Sequence, residues 1–178
     1  MRLNIGVFQY KMRDEPSLRR IQRLENHLKK NNTLDLIVCP ELFLSGYGSH
    51  KKIKEFAEVK DGEYAIKISL LAKKYATAIL YGYPEIEKDS LFNSAQLFSS
   101  TGQSLINHRK QLLPPTAKES TIFNRGNNDS IINFKGIKIA VVICYELEFP
   151  ELIRRAALGG VKLIIAPTAQ SSHWPAAA

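Results

Sequence analysis

The chain has 178 residues, 44% hydrophobic and 24% charged, the make-up of one folded domain with a real core rather than of a disordered or collagen-like chain. No apolar run reaches the roughly 18 residues that a membrane-spanning helix needs, so a spanning segment is not expected. The formal charge of +8 invites a nucleic-acid reading, but the basic residues interleave with acidic and apolar ones, as in RRIQRLENHLKK, and no recognition motif accompanies them.

Residues 2–9, LNIGVFQY, read as a first strand; their alternation is not that of a signal peptide. A helix is predicted from Glu15 to Lys30, because Leu18, Ile21, Leu24 and Leu28 recur at helical spacing. LDLIVC (34–39) is a short apolar run of the kind buried on both faces of a sheet. Pro40-Glu41 ends it and opens a loop, ELFLSGYG, and His50 beyond it is read as part of a charged loop. Residues 62–76 predict a second helix, and TAILYGYPEI (77–86) a strand. LFNSAQLFSSTGQSLINHRK predicts a hairpin turning at Ser99–Gly102. A polar loop follows from Lys110 to about Asn128. IINFKGIKIAVVIC predicts another hairpin turning at Lys135-Gly136, FPELIRRAALGG a helix closed by glycine, and VKLIIAP a last buried strand. Alternating strands and helices with hairpins between them predict a single α/β domain, 1–178, with a mixed sheet covered by helices.

VVICYELEFPE (141–151) carries the strongest chemical signal. A cysteine at the end of a core strand, just before a helix N-terminus, sits where backbone N–H groups and the helix dipole are expected to lower its pKa. The structural alternative is a buried thiol acting as a small hydrophobe. Glu41 also lies just past the end of a buried strand. In α/β sheets sites form at the carboxyl ends of the strands, so the two side chains are expected to share one crevice. The two cysteines, Cys39 and Cys144, form neither a CxxC pair nor a zinc pattern with the four histidines; no metal site is expected, and a reducing, cytoplasmic setting is. A thiol-protease pairing of Cys144 with His27, His50, His108 or His173 lacks the local signatures such enzymes carry.

Three segments together resemble the nitrilase superfamily, the carbon–nitrogen hydrolases with a Glu-Lys-Cys triad. They are LIVCPELFLSGY with Glu41, LFNSAQLFSSTGQSLINHRKQLLPP with Lys110, and GIKIAVVICYELEFPELIRRAAL with Cys144; GGVKLIIAPTA matches the strand that follows. The resemblance spans nearly the whole chain. It implies an α-β-β-α sandwich with mixed sheets and an amidase-like reaction without metal or organic cofactor. In this reading Cys144 is the nucleophile, Glu41 the general acid–base and Lys110 the oxyanion cation, with the Tyr145 N–H as second donor. Glu119 matches a second family glutamate that positions substrate and lysine; a solvated loop carboxylate is its alternative. Many family members have arginine where this chain has Glu148, which favours a neutral or amine-bearing amide over a carboxylate-bearing one; helix capping is the alternative role. Nitriles and N-carbamoyl compounds are sister substrates. The family continues well past SSHW, so the second sheet is expected to be incomplete, and its open edge favours a homo-oligomer. A truncated homologue that binds or assembles without catalysis is the alternative from another class.

Overall fold

The structure, a computed structural model, describes residues 2–9, 14–31, 33–47, 50–115 and 119–169, with the side chains of residues 50–52 left out. Among the described residues, eight strands and four helices follow in the order β1 (Ile5–Val7), α1 (Ser17–Leu28), β2 (Leu36–Val38), α2 (His50–Glu55), α3 (Glu63–Lys74), β3 (Ala78–Glu87), β4 (Ser90–Phe98), β5 (Ser104–Arg109), β6 (Ser130–Phe134), β7 (Ile137–Val141), α4 (Pro150–Leu158) and β8 (Leu163–Ile165). Short 3-10 turns occupy Glu119–Thr121 and Cys144–Glu148.

The strands form two mixed sheets. One has the order β1-β2-β3-β4-β5, the first three strands parallel and the last three antiparallel. The other has the order β6-β7-β8, with β6 antiparallel and β8 parallel to β7. Strand periodicity then sorts the core. Ile37, Cys39, Ile79, Tyr81 and Tyr83 face α1 and α3, where Ile21, Leu24, Leu28, Ile68 and Ala72 meet them. Their neighbours Leu36, Val38, Ala78 and Leu80 face the second sheet and pack on Phe134, Ile139, Val141 and Ile165. α4 lies against the second sheet through its one buried residue, Ala156. The expected α-β-β-α layering is present, and the second sheet has three strands among the described residues.

Three local expectations are corrected. The first strand is three residues long, not eight. α2 was expected to be loop: HKKIKE offers one apolar residue, Ile53, too little for a periodic stripe, and the turn is held by packing of Ile53 with Leu42, Leu113 and Phe123. Cys144 does not directly precede the long helix. It opens a 3-10 turn, and α4 begins only at Pro150. No described helix is long and apolar enough to cross a membrane.

Candidate active site

Two glycines let the site assemble. The Pro40–Leu42 backbone crosses β3 at Gly82, where an added Cβ would lie 2.5 Å from the Leu42 nitrogen and 2.6 Å from the Pro40 oxygen. Gly126 lies on the Arg109–Lys110 backbone, donating to the Lys110 carbonyl at 2.9 Å, and a Cβ there would come 2.1 Å from the Arg109 oxygen. Any side chain at either position would push a site loop off its strand. The Ser17 hydroxyl donates to the Leu44 carbonyl at 2.8 Å, fixing the Glu41 loop to α1 as well.

Lys110 follows β5 and extends its ladder, its N–H donating to the Asn93 carbonyl at 2.8 Å. Its fully buried ammonium donates to Glu41 Oε1 at 2.7 Å and to both oxygens of Glu119 at 2.9 and 3.0 Å. Glu119 is buried, which removes the solvated-loop alternative. The Asn93 amide donates to Glu41 Oε1 at 2.8 Å and to Glu119 Oε2 at 3.2 Å, bridging the two carboxylates. The Tyr47 hydroxyl donates to Glu119 Oε1 at 2.6 Å, and the Ala169 N–H to Glu41 Oε2 at 3.2 Å.

The half-buried Cys144 comes from the other sheet. Its thiol lies close enough to the Glu41 carboxylate and the Ala169 N–H for both to bear on its proton affinity. Its own N–H donates to the Pro167 carbonyl at 3.0 Å, and its φ of 48° is a left-handed conformation unusual for a side-chain-bearing residue. Such strain concentrates at functional sites. The turn leaves the Tyr145 N–H in the first 3-10 turn, where N–H groups have no partner within the helix.

The electrostatics depart from the helix-dipole expectation. Burial, then the Glu41 charge, pushes the Cys144 thiol up to about 12, and Lys110 offsets this only in part. The shift is toward the neutral thiol, which then needs a base to give up its proton. Glu41 is also raised: burial and the Glu119 charge outweigh Lys110 and Asn93. Burial alone would lower the Lys110 ammonium, but the two glutamates hold it above its ordinary value. Two carboxylates share one lysine in a dry site, an arrangement that makes one of them a proton acceptor of unusual strength.

The other sequence candidates have different surroundings. Glu148 is exposed, one residue before Phe149, whose side chain makes no cap hydrogen bond to α4. Tyr145 packs edge-on against Phe149. His108 is buried on Glu146 and not on Cys144, with 2.8 Å between Nε2 and Oε2. His27 meets the Phe8 ring. The side chain of His50 and all of His173 lie outside the described residues. Among the described residues no group of three or more His, Cys, Asp or Glu is placed to hold a metal ion.

Sequence reasoning missed Asn93, Tyr47 and Glu146. Asn93 and Tyr47 stand inside the segments already singled out, in FNSA and SGY. Nothing in the spacing marks them, because their role depends on contacts 26 to 72 residues away along the chain.

The family described as carbon–nitrogen hydrolase matches residues 3–178. The chain is 38% identical over 170 residues to a protein named for a hydrolase in the pqqF 5′ region of Pseudomonas protegens, covering 94% of this chain and 59% of that protein. It is 27% identical to the 2-oxoglutaramate amidase of Bacillus subtilis, covering 98% and 66% respectively. The crystal structure of Saccharomyces cerevisiae Nit3, a member of branch 10 of the nitrilase superfamily, superposes with a TM-score of 0.81 at 25% identity, over 96% of this chain and 66% of that one. The chain thus spans between about half and two thirds of the length of the curated relatives it matches most strongly. With the α-β-β-α layering and the Glu41–Lys110–Cys144 cluster, these matches make the chain a member of the carbon–nitrogen hydrolase family, within the nitrilase superfamily.

Proposed function

We propose that the chain carries the catalytic site of a cysteine amidohydrolase that cleaves a non-peptide C–N bond of a small linear amide. The observation that carries this reading is the Lys110 ammonium held between Glu41 and Glu119, with the Cys144 thiol against Glu41. Glu41, its proton affinity raised, takes the thiol proton as sulfur attacks the carbonyl carbon. The oxyanion that forms is stabilised by Lys110, which can yield one of its two bonds to Glu119, and by the Tyr145 N–H. One well-placed donor of this kind lowers a barrier by about 3–4 kcal/mol. Glu41 then protonates the nitrogen, ammonia or an amine leaves, and a thioester remains on Cys144. Water, deprotonated by Glu41, attacks the thioester and releases the acid. Glu119, held by Tyr47 and Asn93, keeps Lys110 aimed.

A neutral or amine-bearing amide suits the site better than a carboxylate-bearing one, because Glu148 stands exposed four residues after the nucleophile. The relatives' names fit an amidase; the one named for 2-oxoglutaramate is named for a carboxylate-bearing amide, so the preference set by Glu148 would part this chain from that relative. Nitriles and N-carbamoyl compounds remain the sister substrates.

An ammonia-release screen over short amides, nitriles and N-carbamoyl amino acids tests this reading. Turnover of neutral amides, lost in Cys144→Ala, is the expected result. Preferred turnover of N-carbamoyl amino acids would overturn the substrate preference, and full turnover by Cys144→Ala would overturn the site.

A further inference from the structure

The cation and the nucleophile reach the site from different sheets, 34 residues apart in sequence, and something must fix one against the other. The Glu146 carboxylate spans that gap. It is fully buried. Its Oε2 accepts the Ile143 N–H at 2.6 Å and pairs with His108 Nε2 at 2.8 Å; its Oε1 accepts the Gln111 N–H at 2.6 Å. Ile143 immediately precedes the nucleophile. His108 and Gln111 bracket Lys110. One side chain therefore fastens the strained turn at Cys144 to the residues on either side of the cation.

The chemistry of the contact demands a carboxylate. Three donors converge on two oxygens, and an amide in this place would turn its NH2 toward a backbone N–H. Because Glu146 can only accept, His108 carries its proton on Nε2, and Nδ1 is satisfied by the Ser130 hydroxyl at 3.1 Å in either charge state of the ring. The string Ser130–His108–Glu146 resembles a catalytic relay, but its far end stops at backbone N–H groups. It holds geometry and activates no nucleophile.

We propose that Glu146, oriented by His108, is a positioning residue that sets the placement of Cys144 on Lys110 and Glu41. It rests on the amidohydrolase reading and touches no substrate, so its loss acts on kcat and leaves KM nearly alone.

The test uses the full chain and a neutral amide it turns over, with thermal melts to confirm that each variant is folded. Glu146→Gln is expected to lower kcat by about 30-fold or more with KM within about 3-fold, and to slow iodoacetamide labelling of Cys144 by a similar factor. His108→Phe is expected to lower kcat about 10-fold, and His108→Gln, whose amide can donate where Nε2 does, to recover most of that loss. Folded Glu146→Gln with wild-type kcat and wild-type Cys144 labelling overturns the inference while leaving the amidohydrolase reading intact. So does His108→Gln no better than His108→Phe. Ammonia release that survives Cys144→Ala overturns the reading and the inference together. So does a wild-type chain that releases no ammonia and labels Cys144 no faster than Cys39. If Glu146→Gln does not fold, the two His108 variants decide.

Discussion

Two buried carboxylate clusters lie side by side at the end of β5, and they are tuned in opposite directions. Glu85 on β3 is bound by Arg109 at 2.5 Å, Ser94 at 2.6 Å and Asn107 at 2.9 Å. Burial pushes its pKa up, but these partners win and hold it below the ordinary carboxylate range. Arg109 stacks on Phe92 and reaches the solvated Glu87 as well. One residue along, Lys110 serves two carboxylates that are both buried, and there burial and mutual repulsion win, so Glu41 rises. A buried carboxylate with its own guanidinium locks strands together; one that shares its ammonium with a second buried carboxylate is a base. Consecutive residues at the end of β5, Arg109 and Lys110, divide these tasks.

The contrast breaks most visibly at the nucleophile. Cys144→Ala is expected to lower ammonia release by about 10⁴-fold or more without affecting the melting temperature by more than a few degrees. Lys110→Ala is next. It is expected to cost about 10³-fold in kcat and about 3–5 kcal/mol of stability in a denaturant titration, because two buried carboxylates are left facing each other. Glu85→Gln should do the reverse: stability falls by about 2 kcal/mol at neutral pH, and kcat stays within a few-fold.

The pH dependence sharpens the same comparison. Glu41 must be ionised to take the thiol proton and its folded pKa is raised, so the acid limb of kcat/KM is expected above the ordinary carboxylate range. By linkage, a raised carboxylate favours folding at pH below its folded pKa and gives that stability up as pH rises through it. Glu85, whose folded pKa is lowered, contributes stability above its unfolded pKa and loses it as pH falls through the folded one. Melts of wild type and Glu85→Gln are therefore expected to converge in acid. A Glu85→Gln penalty that persists unchanged at pH 2 would contradict this assignment. The smallest effect is expected at Tyr47→Phe, which removes one hydrogen bond to Glu119; kcat should fall about 3- to 10-fold.

Much of this was legible in the sequence because periodicity and strand ends are local signals. LDLIVC and VVIC announced buried strands, and Glu41 and Cys144 followed from standing at their ends. Lys110 needed the family resemblance, since a lysine after a hairpin carries no signal of burial by itself. The direction of the Cys144 pKa shift was misread for a definable reason. The helix dipole is a property of the local chain, whereas the Glu41 charge and the burial that outweigh it come from another sheet. Glu146 escaped notice for the same cause: its three donors come from residues 108, 111 and 143, which only the packed sandwich brings together. α2 was invisible because one apolar side chain makes no pattern.

Intact-mass spectrometry of acid-quenched protein, taken during turnover of a neutral amide, tests the proposed chemistry most directly. A mass increase equal to the acyl group, mapped by peptide analysis to Cys144 and absent in Cys144→Ala, is the predicted result. Ammonia release with no acyl adduct on Cys144, undiminished in Cys144→Ala, would contradict it.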